Sequence, residues 1–426
     1  MKPQSSFAVI LVLQSLLVPV AGAAQDVRLG ERTATNAEVL PGVDVLLRDS
    51  LHLVEGRRVG LVTNHTGISA VESRGGAAVS SIDLLWEHPD VHLVALFSPE
   101  HGIRGDAEPG VLVDDGLDEH TGLPVHSLYG ESRRPPAGSL DELDALLFDI
   151  QDVGARYYTY VYTMALAMEE AGRAGIPFVV LDRPNPIGGR LVQGNVLDPE
   201  FSSFVGMYPL PMRHGMTPGE LALLFQGAYD VEVDLHVVPV EGWTREHFFT
   251  DTDLPWVPPS PNMPSVDSAL HYPGTCLFEG TNLSVGRGTD DLAFQVVAAP
   301  WLPAERLAQI MNEYQIPGAY FEAVTFTPSE PGDGKFDGVE VEGVRLIADH
   351  PEVYDPTLVG VLLLKEIRRI AGHDWQWRAS HFDRLAGTDR LRDGIDRGLD
   401  VQELRTGWIA ELQEFLELRE PFLLYP

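Results

Sequence analysis

Cysteine occurs once, as Cys276, in 426 residues. No intrachain disulfide can form and a thiolate metal cluster has too few ligands, so stability must come from packing. Lysine is nearly as rare, confined to Lys2, Lys335 and Lys365. Neither Lys335 nor Lys365 follows the glycine pattern of a phosphate-cradling loop, and none of the three completes a Ser-x-x-Lys nucleophile. The chain also lacks a Gly-x-Ser-x-Gly elbow and a His-Glu-x-x-His helix, so no metal site is expected. Gly286-Arg287-Gly288 lacks the third glycine of a dinucleotide fingerprint, and no cofactor is expected either.

Long apolar runs are missing beyond the amino terminus. Residues 7–20 make an apolar stretch of about 14, short of the roughly 20 that a spanning helix needs. With Lys2 before it and Ala21-Gly22-Ala23-Ala24 after it, the stretch has the three parts of a cleaved signal peptide over residues 1–24. The mature protein is therefore expected to be exported, periplasmic or secreted, with no membrane span. Positive charge is scarce as well: 30 basic residues stand against 63 acidic ones, a net charge of −33. Such a surface repels nucleic acid, which is not expected as a partner.

What is present is an alternation of short apolar runs with helical patterns. Residues 58–63, 91–97, 145–150, 177–181 and 231–238 read as strands. Residues 81–88 and 159–172 read as helices, and Thr217-Pro218-Gly219-Glu220 is a capping box that starts another. This alternation predicts an α/β fold, a parallel sheet with helices on both faces. Residues 254–264 carry five prolines in eleven positions, which neither a helix nor a central strand tolerates. The domain boundary is placed there, giving a first domain over 25–258 and a smaller α+β domain over 259–426, the latter with helical patterns at 356–371 and 401–418.

In parallel sheets ligands bind beyond the carboxyl ends of the strands. Here those ends carry Asn64-His65-Thr66-Gly67, Ser98-Pro99-Glu100-His101-Gly102, Gln151-Asp152-Val153-Gly154 and Asp182-Arg183-Pro184-Asn185-Pro186. The remaining inventory of carboxylates, amides and arginines suits glycoside hydrolysis, in which one carboxylic acid protonates the leaving oxygen and a second group attacks or activates water. Glu100 is the first candidate for the acid, with His101 beside it. Glu279 in Phe278-Glu279-Gly280 is the second carboxylate, followed by Asp149, Asp152 and Asp182. Asp149 and Asp182 could equally be buried partners of Arg156 or Arg183. Tyr157, Tyr158, Tyr160 and Trp301 could stack on a sugar or fill the core, and His214 could act or brace a loop.

These residues fall in runs that together resemble the bacterial exo-β-N-acetylmuramidases of peptidoglycan recycling. The runs are 98–102, 148–154 with Arg156 and Tyr158-Thr159-Tyr160, 181–186, 213–217, 259–264, 276–289, His381-Phe382-Asp383 and Leu423-Leu424-Tyr425. The resemblance covers roughly residue 40 to the end. One departure is Phe336-Asp337-Gly338-Val339, where many members are expected to have Cys-x-Gly-Val. The resemblance implies a Rossmann-like first domain, a smaller second domain and a catalytic cleft between them. It implies release of N-acetylmuramic acid from non-reducing ends of peptidoglycan fragments without a redox cofactor, with Glu100 as the acid. A substrate of this kind carries a lactyl carboxylate, for which Arg156, Arg183 and Arg287 are candidate partners. Asn64, Gln151, Asn185, Asn262 and Asn282 are candidates for the sugar's polar groups. The acetamido group of the sugar could itself be the nucleophile, oriented by Glu279 or Asp182. A non-catalytic muropeptide-binding protein is the alternative reading of the same residues.

Overall fold

Apolar runs that hide both faces from water build the central sheet of this computed structural model, which describes residues 37–73, 78–100, 102–104, 115–130 and 132–426. The expected signal segment and His101 lie outside the described residues. The amino-terminal half supplies β1 (Arg58–Thr63), β2 (His92–Ser98), β3 (Gly116–Leu117), β4 (Pro124–Ser127), β5 (Ala145–Asp149), β6 (Phe178–Leu181), β7 (Gln193–Val196), β8 (Pro211–Arg213) and β9 (Leu235–Val238). The carboxy-terminal half supplies β10 (Val296–Ala299), β11 (Tyr320–Phe326) and β12 (Val341–Ile347).

Seven strands form one sheet in the order β3-β4-β2-β1-β5-β6-β9, parallel throughout except where β3 pairs antiparallel with β4. Leaving out β3, the parallel strands counted along the chain lie in the order 3-2-1-4-5-6 of a doubly wound, Rossmann-like sheet. Side chains alternate between its faces. Leu146, Phe148, Phe178 and Val180 enter one core with the helices Tyr160–Ala174 and Pro218–Ala228. Ala145, Leu147, Val179 and Leu181 enter the other with Gly42–Asp49 and Ser81–Glu87. Burial on both sides is why these strands read as continuous apolar runs rather than as an alternation.

β10, β12 and β11 form an antiparallel sheet covered by the helix Ala304–Glu313, against which the helix Pro356–Ala371 packs. Its Val297 and Val344 belong to the same hydrophobic cluster as Phe148 and Tyr160, so apolar packing is continuous across the proline-rich segment 254–264, which has no helix or strand. The guanidinium of Arg156 is a polar tie through this core. It donates to the carbonyls of Asn195 and Leu210 at 2.8 and 2.9 Å and to those of Leu385 and Ala386 at 2.9 and 2.8 Å.

The last strand of the large sheet is shorter than its sequence suggests. Residues 231–238 have strand character, but pairing with β6 begins only at Leu235. Asp230 takes a left-handed φ of 57°, and the Glu232 carbonyl packs where a Cβ on Gly172 would stand, 1.9 Å away. That contact uses residues 231–234 to close the turn against the helix Tyr160–Ala174.

Candidate active site

A cavity of about 610 Å3 is lined from both halves of the chain, by Glu100 of the first and Glu279 of the second. Glu100 reaches it because β2 ends at Ser98 and Pro99, with its fixed φ, turns the chain out of the sheet. Thr159 Oγ1 donates to Glu100 Oε2 at 3.4 Å. The Tyr129 hydroxyl also bonds this carboxylate; burial first, then the charge of Glu100, pushes the phenol up, so it stays a donor. Arg133 lies over the rings of Tyr129 and Phe204, its Cζ 5.3 and 4.0 Å from their centres.

The floor is aromatic. Tyr160, Tyr158, Tyr272 and Phe294 meet edge to face in succession, with ring centres 5.1, 5.8 and 4.7 Å apart. The Tyr160 hydroxyl is spent on the Pro259 carbonyl at 2.7 Å, and Tyr157 donates to the Pro273 carbonyl. Rings held in this way offer a rigid apolar surface to a ligand at little entropic cost.

Glu279 lies in the 3-10 turn Cys276–Gly280, just beyond the helix Val266–Thr275. Gly280 is required there, since a Cβ would come within 2.5 Å of Phe382 Cα. That close approach brings the helix Ala379–Ala386, with His381 and Arg384, to the cavity wall. Arg287 Nη1 donates to Glu279 Oε1 at 2.8 Å. With the Asn262 amide turned so that its oxygen faces the guanidinium, it accepts from Arg287 at 3.1 and 3.3 Å. Buried Lys335 pins the turn from behind, donating to the carbonyls of Phe278 and Leu283 at 3.2 and 2.9 Å. Burial holds the Lys335 ammonium below its ordinary value.

Of the residues singled out by sequence, Glu100, Tyr157, Tyr158, Tyr160, Asn262, Glu279 and Arg287 share this cavity, and Trp301 does not line it. Others make up the framework behind it. Arg183 forms a buried bidentate pair with Asp149, at 2.5 and 2.9 Å, and also holds the Ile68 carbonyl. Both terminal nitrogens of Arg156 are committed to the four carbonyls above. Neither guanidinium lines the cavity, so neither is placed to meet a lactyl carboxylate there. Asp182 accepts from the Arg183 and Gly219 amides, Thr217 and Tyr425, at 2.9, 2.7, 2.7 and 2.5 Å, and is not on the cavity wall. Burial raises its carboxyl to about 6.

Asn64 accepts from Thr66, Gln151 donates to the Asp152 and Pro184 carbonyls, Asn185 to that of Met216 and Asn282 to that of Asp374. The crevice at the β1–β5 switch point is thus bridged by the chain's own polar groups: Thr63 Oγ1 bonds the Asp149 carbonyl at 2.7 Å, and the Gln151 amide bonds Thr66. The cavity lies instead beyond β2. His214 is fully buried, its Nε2 3.8 Å from Asp152 Oδ2. Burial first, then Arg419 and Arg213, pushes this imidazole down to about 3, while burial raises Asp152 to about 7.

Sequence reasoning missed Tyr129, Arg133, Phe204 and Arg384. Three belong to segments without strand-end signals, and Arg384 is one helical arginine among many.

Two family models match the chain. One, described as the N-terminal part of exo-beta-N-acetylmuramidase NamZ, covers residues 59–267, and the other, its C-terminal part, covers 270–425. The peptidoglycan beta-N-acetylmuramidase NamZ of Bacillus subtilis (strain 168) is 43% identical over 409 residues, 96% of each chain. Two crystal structures of DUF1343 family proteins from Bacteroides fragilis are similar throughout. One is 34% identical with a TM-score of 0.84, over 92% of this chain and 100% of that one. The other is 31% identical with a TM-score of 0.71, over 91% and 99%. Matched in both halves and along nearly its whole length, this chain belongs to the exo-β-N-acetylmuramidase NamZ family.

Proposed function

We propose that this protein is an exo-acting glycoside hydrolase that releases N-acetylmuramic acid from the non-reducing ends of peptidoglycan fragments in cell-wall turnover and recycling. The family supports the reaction class, and one observation of the site carries the assignment. Glu100 and Glu279 stand on the wall of a single aromatic-floored cavity, supplied by separate halves of the chain. Its volume of about 610 Å3 lies in the range of small-molecule sites and suits a saccharide of one or two units.

In this reading Glu100 is the acid that gives its proton to the glycosidic oxygen. Thr159 and Tyr129 orient its carboxyl and take up the charge left behind by donating to it. The aromatic floor supports the sugar face. Glu279, fixed by Arg287 and by Lys335 behind its turn, is positioned to act on the opposite side of the reacting carbon or to orient the sugar's acetamido group. Export belongs to the same proposal and rests on the signal-like residues 1–24. Sequencing the amino terminus of protein recovered outside the cytoplasm tests it: an intact Met1 contradicts cleavage.

The enzymatic reading is tested by incubating purified protein with peptide-free glycan chains and following the products. From each chain that begins with N-acetylmuramic acid at its non-reducing end, one free N-acetylmuramic acid should be released from the first time points, exposing an N-acetylglucosamine end at which cleavage stops. Early appearance of mid-length fragments, or binding without any release, overturns it.

A further inference from the structure

Across the chain acidic residues outnumber basic ones 63 to 30, yet among the described residues the cavity wall carries three arginines, Arg133, Arg287 and Arg384, against two carboxylates, Glu100 and Glu279. A strongly acidic protein that gathers a cationic excess in one cavity creates there a local attraction for anions. The three guanidiniums are not equivalent. Arg287 is bound to Glu279 and aligned by Asn262. Arg133 is stacked on Phe204 and Tyr129.

Arg384 has neither kind of commitment. It projects from the helix Ala379–Ala386, exposed at the cavity, and has no hydrogen-bond or ion-pair partner among the described residues. Its acidic neighbour Asp383 is taken by Arg392, at 2.8 and 2.9 Å. His381, three residues earlier and so on the same helix face, lines the same wall.

We propose that Arg384 is the anion subsite of the cavity and binds the lactyl carboxylate of the substrate, making it the residue that selects muramoyl over glucosaminyl ends. This rests on the hydrolase reading above. The two sugars differ in the lactyl ether, and a guanidinium with two parallel N–H donors is the side chain best matched to a carboxylate.

The test compares wild type with Arg384→Gln and Arg384→Lys on the para-nitrophenyl β-glycosides of N-acetylmuramic acid and of its lactyl methyl ester. Arg384→Gln should lower kcat/KM on the acid about 100-fold, mainly through KM, and leave the ester within about twofold, with Arg384→Lys in between. Equal losses on acid and ester, or an unchanged kcat/KM on the acid, overturn the assignment. Calorimetric binding of free N-acetylmuramic acid against its methyl ester gives the same comparison without turnover. If wild type binds the acid selectively and Arg384→Gln does not, the subsite stands even where the hydrolase reading fails. If the variant binds the acid as wild type does, the subsite falls.

Discussion

The residues behind the cavity hold their protons at unusual pH. Asp152 is enclosed beside His214, and burial drives each toward its neutral form. For Asp152 the native carboxyl is raised from 3.8 to about 7. Its stabilising contribution is complete below the unfolded value and is lost as pH rises through the native one, because the unfolded chain releases a proton that the native state still holds. His214 runs the other way, its native value lowered from 6.5 to about 3, so its contribution is present above 6.5 and is lost as pH falls toward 3. Asp152→Asn keeps an acceptor for the Gly154 amide, which Asp152 Oδ2 holds at 2.7 Å, and removes the titration. The variant should gain on wild type as pH rises, with the gap in unfolding free energy widening by ~3 kcal/mol between about pH 5 and pH 8. Denaturant unfolding at both pH values checks this, and a gap that does not change with pH shows that the carboxyl titrates normally.

Among the elements, the loop after β5 ties the two halves together through Arg156. Two of the carbonyls it holds belong to the β7–β8 region and two to the end of the helix Ala379–Ala386, which carries Arg384. Arg156→Ala leaves four buried acceptors without their donor and should cost ~3–5 kcal/mol, with Arg156→Lys recovering little because an ammonium cannot span the same fork. Thermal unfolding measures this; a loss under ~1 kcal/mol would mean that other donors replace the guanidinium. The elements readable from sequence were those whose burial is simple. β1, β5 and β6 are hidden on both faces, the capping box at Thr217 is formed, and the helix Pro356–Ala371 has the expected limits. β11 was not readable, since much of it is exposed and Glu322 and Ala323 interrupt its alternation. β7 and β8 are short and hold their place through contacts distant in sequence. The site divides in the same way. A proline followed by glutamate at a strand end marks Glu100, whereas the commitment of Arg156 and Arg183 to buried acceptors depends on partners the sequence does not identify.

In the molecule as a whole, a doubly wound sheet and a smaller antiparallel sheet share one apolar core, and the candidate site lies where loops from the two meet. The sheet alone does not determine this location, because the crevice at its switch point is bridged by the chain's own side chains. The overall charge of −33 makes the cationic excess of the cavity a local feature set against the rest of the surface. This cavity is proposed to cleave a muramoyl glycoside with Glu100 as its acid. That proposal is tested most directly by chromophore release from para-nitrophenyl β-N-acetylmuramide, comparing wild type with a Glu100→Gln variant shown to be folded by its thermal transition. Because this aglycone needs little protonation to leave, the disaccharide of N-acetylmuramic acid and N-acetylglucosamine is measured alongside it. Wild type should turn over both substrates, and the variant should lose about 10²- to 10⁴-fold on the disaccharide if Glu100 is the acid. A folded variant that cleaves the disaccharide at the wild-type rate contradicts the proposal.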